Sequence, residues 1–121
     1  MRTVRHGHLA DPSQAPAGGE HADELIQLHG VVIEQILSGA LAAPIEDDAD
    51  HDEWVVLLDG GAELEAAGEH LSLAPGDWVF LPWHTPHRVV RTDPGTRWLA
   101  VHFAGEEPSE TLASIRRAPT R

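Results

Sequence analysis

The 121-residue chain has no cysteine, no tyrosine and no lysine, and a single methionine. Without cysteine there is no disulfide framework and no thiolate ligand, so any metal must be held by imidazole and carboxylate. All eight basic residues are arginine, against twenty acidic ones, for a formal net charge of −12. A charge of that sign repels nucleic acid and anionic membrane, which makes both poor partners, and no basic DNA-binding segment is present. No apolar run approaches the roughly 20 residues that cross a bilayer. The N-terminus also lacks the apolar stretch of a secretory signal behind its arginines. The expectation is a soluble cytoplasmic protein of one domain, burying roughly two thirds of its surface.

What is present is organised around residues 76–91, GDWVFLPWHTPHRVVR. Pro75-Gly76 signals a turn, and Trp78 to Leu81 favour a strand. Pro82 and Pro86 cannot sit inside a central ladder and must flank a turn, after which His87 to Val90 resume as a strand. This puts His87 at the first position of a strand, beside a rigid turn, where a functional side chain is held firmly.

Along the rest of the chain, Thr3 to His6 reads as a short strand and Asp11 to Gly19 as a flexible loop. Ala22, Leu25, Ile26, His29, Val32, Ile33 and Ile36 fall on one face of a continuous helix, but Gly30 and the β-branched Val31-Val32-Ile33 oppose it. The reading adopted is a short helix at 20–28 and a strand at 31–38. Residues 46–53 concentrate six carboxylates and His51, a solvated acidic loop of which one or two members could reach a metal. A strand at 53–59 leads to Asp59-Gly60-Gly61, a hairpin signal. Strands at 62–66, 69–73 and 97–103 follow, with His70 on a wet face. Turns every ~8–12 residues indicate a β-sandwich or barrel. Pro108-Ser109 opens an expected C-terminal helix, with Arg116-Arg117 in its last turn.

Two motifs carry a family resemblance. Gly76, Pro82, His84 and His87 are spaced as in the second motif of the cupin superfamily, with His84 where most members have Gly. Glu53 to Gly60 resembles the latter half of the first motif, a Glu followed six residues later by a Gly. The chain is similar in particular to small single-domain cupins that share its DEWV, PHRV and WLAVHF segments. The His-X-His pair that such motifs carry before the Glu is missing; Glu46-Asp47-Asp48-Ala49-Asp50 stands there, and His51 is the nearby imidazole. The resemblance implies an all-β jelly-roll barrel (a double-stranded β-helix) with short peripheral helices. Its domain division is an N-terminal strand and flexible loop at 1–20, the barrel at 21–105, and a helix and tail at 106–121.

Period-two alternation places His51, Glu53, Val55 and Leu57 on one face of their strand, and Trp54, Val56 and Leu58 on the other. On the last strand, hydrophobicity alone turns Leu99, Val101 and Phe103 inward, whereas the resemblance turns His102 inward. In such a barrel His51, Glu53, His87 and His102 converge and suit a divalent first-row metal, Fe, Mn, Ni, Cu or Zn. One strand step of ~6.5–7 Å separates His51 from Glu53, which strains a shared ion. Three classes follow: a metal-dependent enzyme of dioxygenase or isomerase type on a small molecule; a metal-free sugar-modifying cupin, disfavoured by the absence of tyrosine; and a non-catalytic small-ligand or metal-binding module. The apolar face of Trp54, Val56 and Leu58, with Trp78 or Phe80, points to a homodimer.

Overall fold

A computed structural model describes residues 3–47 and 50–103. Among the described residues the strands are β1 (Glu20–Leu28), β2 (Val31–Ser38), β3 (Ile45–Asp47), β4 (Asp52–Asp59), β5 (Ala62–Ala66), β6 (Glu69–Leu73), β7 (Trp78–Leu81), β8 (His87–Thr92) and β9 (Thr96–Phe103). They form two antiparallel sheets, β1-β2-β9-β4-β7 and β3-β8-β5-β6, facing each other as a jelly-roll barrel. The expected C-terminal helix lies outside the described residues. Among those residues no helix is long and apolar enough to cross a membrane.

Alternation along each strand builds the interior. Val55 and Leu57 from β4, Ala62 and Leu64 from β5, Leu81 from β7, and Trp98 and Ala100 from β9 make one buried cluster. Each fully buried aliphatic side chain there contributes about 1.5–3 kcal/mol relative to exposure. The indole N–H of the buried Trp98 donates to Ser38 Oγ at 3.0 Å, and Ser38 Oγ donates to Glu20 Oε2 at 2.7 Å. Gln35 and Leu37 are buried on the opposite face of β2. The N-terminal segment covers that side: the Ala10 N–H donates to Gln35 Oε1 at 2.8 Å, and Gly18 bridges to Ala40.

Three expectations are corrected. Residues 20–28 are a strand, not a helix. Leu28 pairs with Val31 across His29-Gly30, both with positive φ (53° and 76°), which is the two-residue hairpin geometry that matches strand twist. A β-bulge between Glu24 and Ile26 inserts Leu25, and that extra residue turns a two-residue alternation into an apparent helical spacing. Thr3 to His6 form no strand; the ordered local feature upstream of β1 is a 3-10 turn at Pro12–Gln14, capped by Asp11 Oδ1 accepting from the Ser13 N–H. Finally, Asp59-Gly60-Gly61 does not close a hairpin, because β4 and β5 belong to different sheets.

That last turn is pinned from inside. Thr96 is fully buried, and its hydroxyl accepts from the Gly61 N–H at 3.3 Å and donates to the Asp93 carbonyl at 2.7 Å. Gly60 has φ of 89°, and a Cβ there would sit 2.4 Å from Thr96 Oγ1. The glycine that ends the first motif is thus required by backbone conformation and by close approach together. Gly60→Ala is expected to destabilise the protein by about 2 kcal/mol or more, measured by urea unfolding. A loss below about 0.5 kcal/mol would show that the turn relaxes without cost.

Candidate metal centre

Four of the groups that meet in the barrel are cross-strand neighbours. Glu53 on β4 is the ladder partner of His102 on β9, and Asp47 at the end of β3 is the ladder partner of His87 at the start of β8. The first pair belongs to the five-stranded sheet and the second to the four-stranded sheet, so they approach across the interior. His102 shares the inward face with buried Trp98 and Ala100, which settles its direction. Hydrophobicity misleads on β9 because the outer face of that sheet is itself apolar, with Trp78 61% and Phe103 41% exposed. The turn carrying His87 is tied to β4 by the Trp83 N–H, which donates to Asp52 Oδ1 at 2.7 Å. Within it, Thr85 N–H donates to the Pro82 carbonyl, and His84 adopts φ of 66°, a conformation glycine enters more easily.

Among the described residues two groups of three ligand atoms result, each within 4.8 Å: His51, Glu53 and His102, and Asp47, Glu53 and His87. Glu53 belongs to both. His87 Nε2 lies 3.9 Å from Glu53 Oε1 and 4.0 Å from Asp47 Oδ2; His102 Nδ1 lies 4.0 Å from Glu53 Oε1. Ligand atoms about 2.0–2.2 Å from a shared ion sit roughly 3–3.5 Å apart, so these three imidazole–carboxylate pairs are about half an ångström wider than a shared ion would hold them. The strand-step objection to His51 falls away because it precedes β4 in a bend, and its ring turns toward His102.

The hydrogen bonds of the rings fix where their lone pairs point. The His87 Nδ1–H donates to the Thr85 carbonyl at 3.3 Å, so that Nε2, which carries the lone pair of the neutral ring, faces two carboxylates. Among the described residues the bonds continue as a line: Asp50 Oδ1 to His51 Nδ1 at 2.6 Å, His51 Nε2 to His102 Nδ1 at 2.7 Å, and His102 Nε2 to Glu34 Oε1 at 2.8 Å. Each outer nitrogen donates to a carboxylate, so two neutral rings would meet lone pair to lone pair. A third proton or a metal ion resolves that conflict, and a metal would part the two nitrogens slightly.

Glu53 is 9% exposed, and among the described residues no hydrogen bond reaches its carboxylate. Burial pushes its carboxyl above the usual range; His102 and His87 pull it down, and Asp47 pushes it up again. Anionic oxygen and imidazole lone pairs directed at one volume are a donor set that fits a divalent cation. The volume is part of a cavity of about 230 Å³ whose far wall includes Val55, Leu64, Leu81 and Trp98. Asp47 and His87 also line an open groove of about 640 Å³ on the outside, which connects the site to solvent.

The structure gathers His51, Glu53 and His102 in one group and His87 with Glu53 and Asp47 in the other, and adds Glu34 through its bond to His102. Asp47 was one of many carboxylates in an acidic loop, and only the β3–β8 register singles it out. Glu34 carried a fainter signal, a carboxylate inside the apolar run Val31 to Leu37.

The cupin domain family matches residues 32–102. No curated protein matches the sequence significantly. Among solved structures, a Ralstonia eutropha protein proposed to be a mannose-6-phosphate isomerase is 38% identical, over 82% of this chain and 97% of that one, with a TM-score of 0.70. A conserved protein of unknown function from Streptococcus pyogenes is 20% identical, over 88% and 95% of the two chains, with a TM-score of 0.64. A cupin superfamily protein from Desulfitobacterium hafniense is 19% identical, over 84% and 94%, with a TM-score of 0.64. With both motifs, the two-sheet barrel and this match over more than half its length, the chain belongs to the cupin family.

Proposed function

We propose that this cupin binds one divalent first-row metal ion through Glu53 and His87, completed by His102 with His51 or by Asp47, and acts on a small molecule held in the barrel cavity. The observation that carries the reading is the buried Glu53 carboxylate, which accepts no hydrogen bond among the described residues and is faced by imidazole nitrogens at 3.9 and 4.0 Å. A bound ion would supply Lewis-acid polarisation of a substrate oxygen, the chemistry that isomerase and dioxygenase types share. The chain's own groups hold and orient: Thr85 fixes the His87 tautomer, Glu34 fixes that of His102, and the apolar wall keeps bulk water from the far end of the cavity. For a sugar-phosphate isomerase activity, suggested for the Ralstonia relative, the described cavity residues offer no phosphate-binding arginine.

Calorimetric titration of metal-free protein with Mn²⁺, Ni²⁺ and Zn²⁺ is expected to give a micromolar or tighter site for at least one ion. His87→Ala is expected to weaken it at least about 100-fold, and His51→Ala less. Absence of binding below about millimolar would remove the metal reading. Binding without turnover on any small-molecule panel would leave the non-catalytic module as the account.

Glu53→Gln separates stability from function. A carboxyl whose folded value is raised above 4.5 costs stability once the pH exceeds both values, and that cost vanishes as the pH falls below 4.5. Metal-free Glu53→Gln is therefore expected to melt higher than wild type at pH 7–8, by an amount that shrinks toward pH 4, while losing metal affinity. A lower melting temperature at pH 7 would mean that the carboxylate is a net structural asset without the ion.

We also propose that the chain is a homodimer. Trp78 is 61% exposed, Phe80 41% and Phe103 41%, and Trp54 stacks toward Trp78 with ring centroids 6.3 Å apart. These rings share the outer face of the five-stranded sheet. Sedimentation equilibrium is expected to show a dimer at micromolar concentration and a monomer for Trp54→Glu. A wild-type monomer under those conditions would remove the claim.

A further inference from the structure

Glu53 is shared by two ligand groups, and the two imidazoles that flank it fall in different ones. Among the described residues, no group of ligand atoms within 4.8 Å contains both His87 and His102. Both rings face the same oxygen, Glu53 Oε1, His87 Nε2 from 3.9 Å and His102 Nδ1 from 4.0 Å, so they approach it from separate directions. Two atoms bound to one ion at about 2.0–2.2 Å are at most about 4.4 Å apart, even on opposite sides of it. A single ion between His87 and His102 would have to draw the two sheets closer. An ion on each side of Glu53 asks only that each group close on itself.

The two sides also differ in origin. Glu53 and His87 are motif positions, and Asp47 stands in the segment where the His-X-His pair is missing. His51 and His102 belong to neither motif. That pair has its own reason to take a cation. With neutral rings, Asp50 accepts the His51 Nδ1–H at 2.6 Å and Glu34 accepts the His102 Nε2–H at 2.8 Å. His51 Nε2 and His102 Nδ1 then face each other at 2.7 Å with a lone pair each. A carboxylate behind each ring is the arrangement that fixes the tautomer of a metal-ligating imidazole and raises its basicity.

We propose that the barrel holds a two-ion centre bridged by Glu53, with one divalent ion on Asp47, Glu53 and His87 and a second on His51, His102 and Glu53. It rests on the metal reading of Glu53 and His87 and extends it, since the two ways of completing that site are filled together, by different ions. A carboxylate bridge sets two ions about 3.5–4 Å apart, the spacing at which an attacking and a departing oxygen are stabilised together. The mutual repulsion of the ions is answered by carboxylates that ligate them, Asp47 and Glu53, and by those that back the rings, Asp50 and Glu34. The donor sets are unequal. Two imidazoles and one carboxylate suit Cu²⁺, Ni²⁺ or Zn²⁺, whereas two carboxylates and one imidazole also accept harder ions such as Mn²⁺.

The probe is Cu²⁺, the tightest-binding of the first-row dications. Metal-free protein is dialysed against about 10 µM free Cu²⁺, the bound metal is counted by elemental analysis, and the sample is examined by electron paramagnetic resonance. Wild type is expected to hold about two ions per chain and to show the half-field transition of two copper ions at about 3.5–4 Å. His51→Gln and His102→Gln, each checked for an intact melting transition, are expected to hold about one ion and to lose the half-field signal. His51 lies in a bend outside the strands, so its variant decides the matter should His102→Gln fail to fold. His70→Gln removes an exposed imidazole between Glu63 and Glu65, away from both groups, and is expected to leave count and signal unchanged. One ion per chain in wild type, lost in His87→Gln, would overturn the second ion and leave the metal reading standing. No copper bound at all would overturn both. Two ions without a half-field signal, or a count that falls in His70→Gln but not in His51→Gln, would place the second ion elsewhere and overturn the proposal.

Discussion

An ionised carboxylate placed in a protein interior must be answered by a cation or by hydrogen bonds, and the placing of Glu53 organises much of this barrel. Glu53 sits where the ladders of β4 with β9 and β4 with β7 overlap, opposite His102 on one side and Leu81 on the other. It is the one residue common to both candidate ligand groups. What surrounds it answers the charge only in part. Imidazole nitrogens stand about 4 Å away, too far for a hydrogen bond, and they are themselves fixed by Thr85 and Glu34. The local structure is complete in its supports and incomplete at its centre.

The supports depend on how the chain passes between sheets. Both motif turns, Asp59 to Gly61 and Pro82 to Pro86, carry the chain from the five-stranded sheet to the four-stranded one. A hairpin at 82–86 would have left Glu53 and His87 in one sheet. The crossings let a carboxylate from one sheet face an imidazole from the other. The motif glycines at 60 and 76 follow from this, since both hold positive φ at such corners.

The strands β2 and β4 to β9, the inward face of β4 and the turn before His87 were legible in the sequence, because alternation and proline act locally; β3 was hidden in what read as an acidic loop. The reading failed where one inserted residue disturbed the period: the bulge at Leu25 gave β1 a helical spacing, and the His29-Gly30 turn was passed over. It was ambiguous on β9, where both faces are apolar and only the resemblance turned His102 inward. Asp47 stood in the sequence only as a lesser candidate among the acidic residues that could reach a metal, and Glu34 was not singled out. Their importance comes from the β3–β8 register and from the His102 ring, and both are long-range facts.

The bulge in β1 has a consequence for how the molecule behaves in a crowd. β1 is the outermost strand of its sheet, nine residues long and exposed along nearly its whole length. A flat edge of that length would template the addition of a strand from another chain. The bulge breaks its regular ladder, and Glu20, Asp23 and Glu24 place negative charge along it. In-plane growth toward fibrils is thereby opposed at this edge, while the aromatic outer face of the same sheet stays open to a partner that stacks against it.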